Sequence, residues 1–482
     1  MFRRTKIVAT VGPACESEAG LEALMAAGAD VFRLNFSHGD LATKELLIGR
    51  IRNLSRRRRR AVAILADLQG PKIRTGKMAG SGMELVAGQQ VTITTREVLG
   101  AEGLIPTTYA ELPGDVRKGD RILLDDGLLE FEVVASTGSE VRCRVVVGGL
   151  LKDRKGINLP GVAVSAPALT AKDREDLAFC IGREIDYLAL SFVRRASDVL
   201  ELKELLLREK SSLQVIAKIE KPEAVADFDA ILEAADGIMV ARGDLGVEMR
   251  PEKVPLIQKR IIRKCNEAGK PVITATQMLE SMIDHPRPTR AETSDVANAI
   301  LDGTDAVMLS AETASGRYPV EAVSLMVRVA EDVEGDPELK AKVFHPIPEI
   351  RGYRRLPEAI GQAACRVAEG VGATAILAFT QTGSTAALVA KYRPDMPVYA
   401  VTPSQAVRRR LALFAGVRSI RVDIAGDTET QIRSVEEAVL AAGVLKKGEV
   451  VVITMGSPVS APGTTNLLKI HRLGTGEFYE VH

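Results

Sequence analysis

The sequence predicts an α/β protein built on a (β/α)8 barrel, with a small β-barrel cap inserted into it and an open α/β domain after it. Near-continuous apolar strands alternate with helical segments, the pattern of a parallel sheet covered on both faces. That alternation breaks once, between residues 70 and 166, into short alternating strands separated by glycine turns. Three strands precede the break and five follow it, which is the strand count of an eight-stranded barrel.

Residues 1–69 read as strand "TKIVATVG", helix "EAGLEALMAAGA", strand "DVFRLNFS", helix "LATKELLIGRIRNL" and strand "AVAILADL". From 70 to 166, pieces such as "GQQVTITT", "RILLDDG", "LLEFEVVAS" and "EVRCRVVVGG" carry strand periodicity and little helical periodicity. The barrel resumes over 167–336 with helix "TAKDREDLAFCIGR" and strands "IDYLALSFV", "LQVIAKIE", "DGIMVARG", "PVITATQ" and "TDAVMLSA". Residues 337–482 form a second series, "ATAILAFT", "PVYAVT", "RSIRVD" and "EVVVITMG", with helices between and no second copy of the barrel motifs.

A chain of 482 residues is long enough for two or three domains. Its 46% hydrophobic and 26% charged residues are those of a globular protein. The net charge of +1 supplies no field to recruit nucleic acid or an acidic membrane surface. Arg56 to Arg60 form a basic run without interleaved aromatics, which reads as the solvated end of a helix. Five cysteines lack any CxxC spacing, against a zinc site or disulfide framework and in keeping with a reducing compartment. No uncharged apolar run reaches transmembrane length. The expectation is a cytoplasmic protein with neither a nucleic-acid nor a membrane partner.

In barrel enzymes the active site lies at the C-terminal strand ends. Those ends here carry Arg33, Asn35 and Ser37 in "FRLNFSHG", Asp67 in "LADLQG", Lys218 and Glu220 in "VIAKIE", Arg242 and Asp244 in "VARGDLG", and Thr276 in "TATQ". Lys218 and Glu220 are two apart on one strand and share a face, as do Arg33, Asn35 and Ser37. Two buried charges are tolerated only when they pair or serve a ligand. One isolated strand of this kind would read equally well as a buried ion pair, but here the ends of four of the eight strands carry charged residues. Glu220 and Asp244 make a candidate Mg²⁺ site, because that ion takes few carboxylates and leaves positions for substrate oxygens. Arg33 and Lys218 beside them point to an anionic substrate, most naturally a phosphate. "RGDLG" has the small residues of a short helix start whose N–H groups suit a substrate carboxylate. Of the five histidines only His38 falls among these motifs.

"TKIVATVGPA", "FRLNFSHG", "DLQGPKIRTG", "KGINLPG", "AKIEKPEAV", "MVARGDLGVE", "TATQMLESM" and "PTRAETSDVANAILDGTDAVMLSAETA" resemble the signature segments of pyruvate kinases, in order and over nearly the whole chain. The resemblance implies transfer of a phosphoryl group from phosphoenolpyruvate to ADP, with Mg²⁺ or Mn²⁺ as cofactor, in a homotetramer. Carried over position by position, Glu220 and Asp244 resemble the divalent-metal ligands and Lys218 the transition-state stabiliser. Arg33 resembles the residue that holds the phosphoryl group, and Gly243, Asp244 and Thr276 those at the substrate carboxylate and its reacting end. Asn35, His38, Arg74 and Lys155 resemble nucleotide contacts. A metal-dependent aldolase on a similar barrel would lack the inserted cap and the C-terminal domain, and a non-enzymatic sensor would have lost site residues that are all present here.

Many family members also hold K⁺, at positions matching Asn35, Ser37, Asp67 and the carbonyl of Leu68. They carry threonine, lysine and glutamate where this chain has Leu68, Gln69 and Lys72. This resembles the subgroup that works without a monovalent cation, with the Lys72 charge in place of K⁺. "FTQTGSTAALVAKYRP" opens a helix with Thr380, Thr382, Gly383, Ser384 and Thr385. It resembles the family's effector phosphate site, with "GSPVSAPGTTN" as neighbour. The chain has no tryptophan for a sugar-bisphosphate contact. The expected effector is therefore a monophosphate, AMP or a sugar monophosphate. N-capping of that helix is the plainer reading of the same residues.

Overall fold

In a computed structural model of the chain, the described residues are 2–340, 355–423, 426–456 and 465–475. Eight parallel strands close into a barrel in the order Lys6–Val11, Ala306–Leu309, Val272–Ala275, Gly237–Ala241, Gln214–Ile219, Tyr187–Leu190, Ala63–Asp67 and Val31–Asn35. These are the three strands read before the insertion and the five read after it. They are buried along nearly their whole length, which is why they read as continuous apolar runs.

Alternation along the strands separates two layers inside the barrel. Val8, Val31, Leu65, Ala189, Ile216 and Met239 belong to one apolar cluster around the axis. Two residues further along the same strands, and so on the same inner face, come Thr10, Arg33, Asp67, Ser191 and Lys218. The barrel is thus packed with hydrocarbon below and topped by a polar layer at its C-terminal end.

The base is closed from outside the barrel. Ala412 and Leu413, from the C-terminal part of the chain, join the inner apolar cluster. Around them, buried Asp186 accepts Arg52 Nη2 at 2.5 Å and Arg409 Nε at 2.8 Å. Lys6 Nζ donates to Val417 O at 2.7 Å, and Tyr187 Oη to Arg410 O at 2.7 Å. Burial lowers the Lys6 pKa to about 8, against the attraction of Asp30. Asp30 falls to about 2 because Arg3, Lys6 and Arg60 together outweigh its own burial.

The inserted segment folds as a six-stranded sheet (157–158, 121–124, 129–137, 140–147, 90–94, 104–106) and a two-stranded one (149–151, 83–85). Both enclose one apolar core that includes Leu85, Ile93, Phe131 and Val145. The chain leaves the barrel through Gly70, at φ +67°, where a Cβ would meet Phe192 and Ser191 at 2.9 and 3.0 Å. Only glycine satisfies both demands there. On the return, Arg194 donates to the carbonyls of Val164 and Ala166.

The C-terminal part forms a five-stranded sheet ordered Val417–Arg421, Val398–Thr402, Ala375–Phe379, Val450–Gly456 and Thr465–Arg472. Four of these strands follow the sequence reading. The fifth, antiparallel at the edge, was not foreseen, because "TNLLKIHR" mixes polar and apolar residues without clean alternation. The arginine run caps the helix Leu41–Arg57, and its members pair with acids: Arg56 with Glu184, Arg57 with Glu18, Arg58 with Glu22 and Arg60 with Asp30. No helix among the described residues is long and apolar enough to cross a membrane.

Candidate active site

The polar layer at the top of the barrel is a connected set of charges. Lys218 Nζ lies 3.2 Å from Asp67 Oδ1 and 3.0 Å from Glu220 Oε1, and donates to Ser191 Oγ at 2.8 Å. Arg33 Nε donates to the other Asp67 oxygen at 2.6 Å, and its Nη1 to Thr10 Oγ1 at 3.1 Å. Neighbouring strands bring these side chains level, with Arg33 beside Leu65 and Asn35 beside Asp67 in register. The Asp67 and Glu220 side chains are only 2% and 1% exposed, so the set sits in a medium where charges are poorly screened.

The electrostatics follow from that burial. Burial works to lower the Lys218 pKa, but Asp67 and Glu220 outweigh it and hold the lysine well above its ordinary range. Burial alone would raise Asp67, yet Lys218 and Arg33 keep it below the usual carboxylate value. Glu220 is raised, chiefly by burial and further by Asp244, against Lys218 and the Phe192 N–H. Lys218 and Glu220 therefore do pair, and the lysine is shared with a second carboxylate that sequence reasoning had assigned elsewhere.

Two segments near these charges hold unusual backbone. Phe192, at φ +55°, aims its N–H at Glu220 Oε2, 2.6 Å away. Thr276 and Gln277 are both left-handed, at φ +68° and +52°. A β-branched residue persists there only when its surroundings enforce it. Arg242 supplies the clamp, donating to Thr276 O at 2.8 Å while anchored on Asp295 at 2.8 Å. Thr276 Oγ1 donates to Ala275 O at 2.6 Å and accepts the Gly243 N–H at 2.7 Å. Gly243 and Asp244 open the short helix Arg242–Glu248, as the sequence implied.

Several other site candidates have local partners of their own. His38 lies close to Arg74, Lys72, Lys44 and Arg33, and burial followed by those cations pushes its pKa down. Lys155, in the inserted segment, pairs with Asp125 at 2.8 Å. Asn35 Oδ1 accepts the Ser37 N–H at 3.0 Å, and Leu68 O accepts Ser191 Oγ at 2.8 Å. Lys72 is exposed and lines, with Asp244, Asn158, Arg194 and Lys221, the cleft between cap and barrel.

In the C-terminal part of the chain, Thr380 Oγ1 accepts the Gly383 N–H at 2.8 Å and Thr385 meets Thr465 at 3.0 Å. Thr382 and Ser384 are exposed, with their hydroxyls 3.1 Å apart. The N-cap residue, Gly383, supplies no side-chain cap to the helix Ser384–Lys391, while Thr380 takes the Gly383 N–H. Most of "GSPVSAPGTTN", residues 457–464, lies outside the described residues.

Sequence reasoning missed Ser191, which joins Lys218 to the Leu68 carbonyl, although its place two residues beyond Ala189 on an inward face was a usable signal. Arg242, named only as a strand-end charge, spends its side chain on the 275–277 segment. No local signal marks that role.

A family model described as the pyruvate kinase barrel domain matches residues 2–323, and one described as the pyruvate kinase alpha/beta domain matches 358–471. The chain belongs to the pyruvate kinase family. It is 51% identical over 474 residues to the pyruvate kinase of Geobacillus stearothermophilus, covering 98% of this chain and 80% of that one. It is 50% identical over 480 residues to that of Sporosarcina psychrophila, covering 98% and 81%. The crystal structure of a pyruvate kinase from Cryptosporidium parvum superimposes with a TM-score of 0.89 at 39% identity, over 98% of this chain and 96% of that one. Pyruvate kinase family membership makes the chain a phosphotransferase.

The donor set fits the divalent ion used by this family. Among the described residues no three His, Cys, Asp or Glu side chains cluster to form a closed metal cage. Glu220 and Asp244 offer two hard oxygen donors whose mutual repulsion, part of what raises Glu220, a cation would relieve. Mg²⁺ suits such a pair, since it dehydrates reluctantly and shares its sphere with substrate phosphate and water.

Proposed function

We propose that the chain moves the phosphoryl group of phosphoenolpyruvate to ADP at the polar top of the barrel. The bond from phosphorus to the enol oxygen breaks, a bond to a terminal oxygen of ADP forms, and the enolate takes a proton to become pyruvate. The observation that carries this reading is Lys218, held charged between two buried carboxylates beside Arg33. Such fixed cations stabilise the charge spread over a phosphoryl group in flight. Arg33 grips the phosphoryl oxygens, and Gly243, Asp244 and Thr276 frame the substrate carboxylate and reacting carbon. Glu220 and Asp244 would hold Mg²⁺ or Mn²⁺, which when bound neutralises phosphate charge. Asn35, His38, Arg74 and Lys155 receive the nucleotide. The cap shuts out water that would otherwise hydrolyse the substrate. Thr276, with its hydroxyl near Gly243, is the candidate to deliver the proton, directly or through water.

Replacing Lys218 with methionine keeps most of the stem and removes the charge. The expected fall in kcat is about 10²-fold or more, the scale of one lost transition-state contact. Phosphoenolpyruvate and metal affinity should move far less. A folded Lys218→Met enzyme retaining over about a third of its turnover would disprove the role.

Independence from K⁺ is part of the same reading. The positions matching a K⁺ pocket already have protein partners: Arg33 and Lys218 on Asp67, and Ser191 on the Leu68 carbonyl. A unit charge pair at about 4 Å and an effective dielectric near 20 is worth about 4 kcal/mol. Exposed Lys72 acts through more solvent than that, so it contributes a fraction of this figure. Turnover should be nearly full with only a bulky organic cation present, and Lys72→Glu should introduce a response to K⁺. Stimulation of the parent enzyme by about ten-fold or more in KCl would refute this.

The exposed hydroxyls at Thr382 and Ser384, with Thr380, Gly383 and Thr385, form the proposed effector loop for AMP or a sugar monophosphate. Backbone N–H groups at a helix start favour a phosphate. Thr382→Glu should erase the rise in activity that such an effector produces, with light scattering on the same samples checking the homotetramer. Undiminished activation in that variant would remove the loop from consideration.

A further inference from the structure

We propose that Glu248 is a positioning residue that sets the spacing of Glu220 and Asp244 and separately ties the cap to the helix bearing Asp244; the inference rests on these two carboxylates holding the divalent ion. Glu248 ends the short helix that begins beside Gly243 and Asp244. Its side chain is 1% exposed, and Oε1 receives Lys221 Nζ at 2.5 Å. Lys221 directly follows Glu220. One buried ion pair therefore ties the strand-end segment of one metal carboxylate to the helix bearing the other.

The same oxygen accepts Asn158 Nδ2 at 2.9 Å. Asn158 belongs to the cap strand Ile157–Asn158, which pairs with the strand Arg121–Leu124. On the same side the cap turn at Gly127 faces Val247 of this helix, where an added Cβ would come within 3.8 Å of Cγ1. The short helix is thus braced on one side by Lys221 and on the other by the cap. Glu248 Oε2 is buried without a partner, so the carboxylate has given up solvation to make the Oε1 contacts. An arrangement that leaves a buried carboxylate oxygen unmet is poor as packing alone. It is intelligible as a rigid strut between two ligands whose separation has to match one small ion. Groups that hydrogen-bond metal ligands directly change metal affinity on the order of 10–100-fold on removal, and this strut, one step further out, is expected at the lower end of that range.

The two halves of the strut separate experimentally. Mn²⁺ binding measured by electron paramagnetic resonance, without substrates, reads the carboxylate spacing apart from turnover. Glu248→Ala and Lys221→Met should each weaken Mn²⁺ binding about ten-fold, whereas Asn158→Ala should leave it within about two-fold. Hydrogen exchange at 157–158 and 125–128 reads the cap. It should quicken in Glu248→Ala and Asn158→Ala but not in Lys221→Met. Glu248→Gln, which keeps a carbonyl for Asn158 and loses the ion pair, should match Lys221→Met in both readouts, and it stands in should the alanine variant not fold. Unchanged Mn²⁺ affinity in folded Glu248→Gln and Lys221→Met would overturn the proposal. Glu220→Gln distinguishes the two levels: if it abolishes Mn²⁺ binding while those two variants do not weaken it, only the strut falls. If Glu220→Gln also binds normally, the metal assignment falls with it.

Discussion

The site depends on one constraint, which is that Lys218 must stay charged inside a protein interior. Burial of an ammonium ion opposes this strongly, and two carboxylates reverse the balance. Asp67 cannot do this alone without becoming a liability, because it too is buried; Lys218 on one oxygen and Arg33 on the other keep it ionised. Ser191 and the Phe192 N–H then fix the geometry of Lys218 and Glu220. Each group is tolerable only because of the next, so the layer behaves as a unit. Breaking a buried pair from one side typically costs about 3–5 kcal/mol for this reason.

The rest of the barrel makes that layer possible. Below it, apolar residues fill the interior, and Leu413 and Ala412 close the base from the C-terminal domain. The base is also the place where that domain is tied to the barrel, through Arg409 to Asp186, Arg393 to Asp305 and Lys6 to the Val417 carbonyl.

The barrel and its polar rim were legible because two simple periodicities encode them. Parallel strands buried on both faces read as apolar runs, and their count on either side of the insertion gave eight. Residues two apart on a strand share a face, which placed Lys218 with Glu220 and Arg33 with Asn35. What was not legible is long-range. The plug at Leu413, some 200 residues from the strand end at Tyr187 it lies near, follows from tertiary packing and leaves no local mark. The clamp by Arg242 and the strut at Glu248 look like ordinary charged residues beside a motif. The edge strand Thr465–Arg472 was missed because one antiparallel strand with a partly exposed face lacks the apolar run of its neighbours.

The central claim is that Asp67, ionised between Arg33 and Lys218, holds the layer together. Its pKa in the folded chain lies below its ordinary 3.8, so its contribution is complete above about pH 4 and is lost as pH falls through the folded value. The most direct test is the denaturant midpoint of the parent and of Asp67→Asn across pH 7 to 3. The account predicts a clearly less stable variant at pH 7, with the difference narrowing steadily below about pH 4. A variant as stable as the parent at pH 7, or a difference that ignores pH, would contradict it.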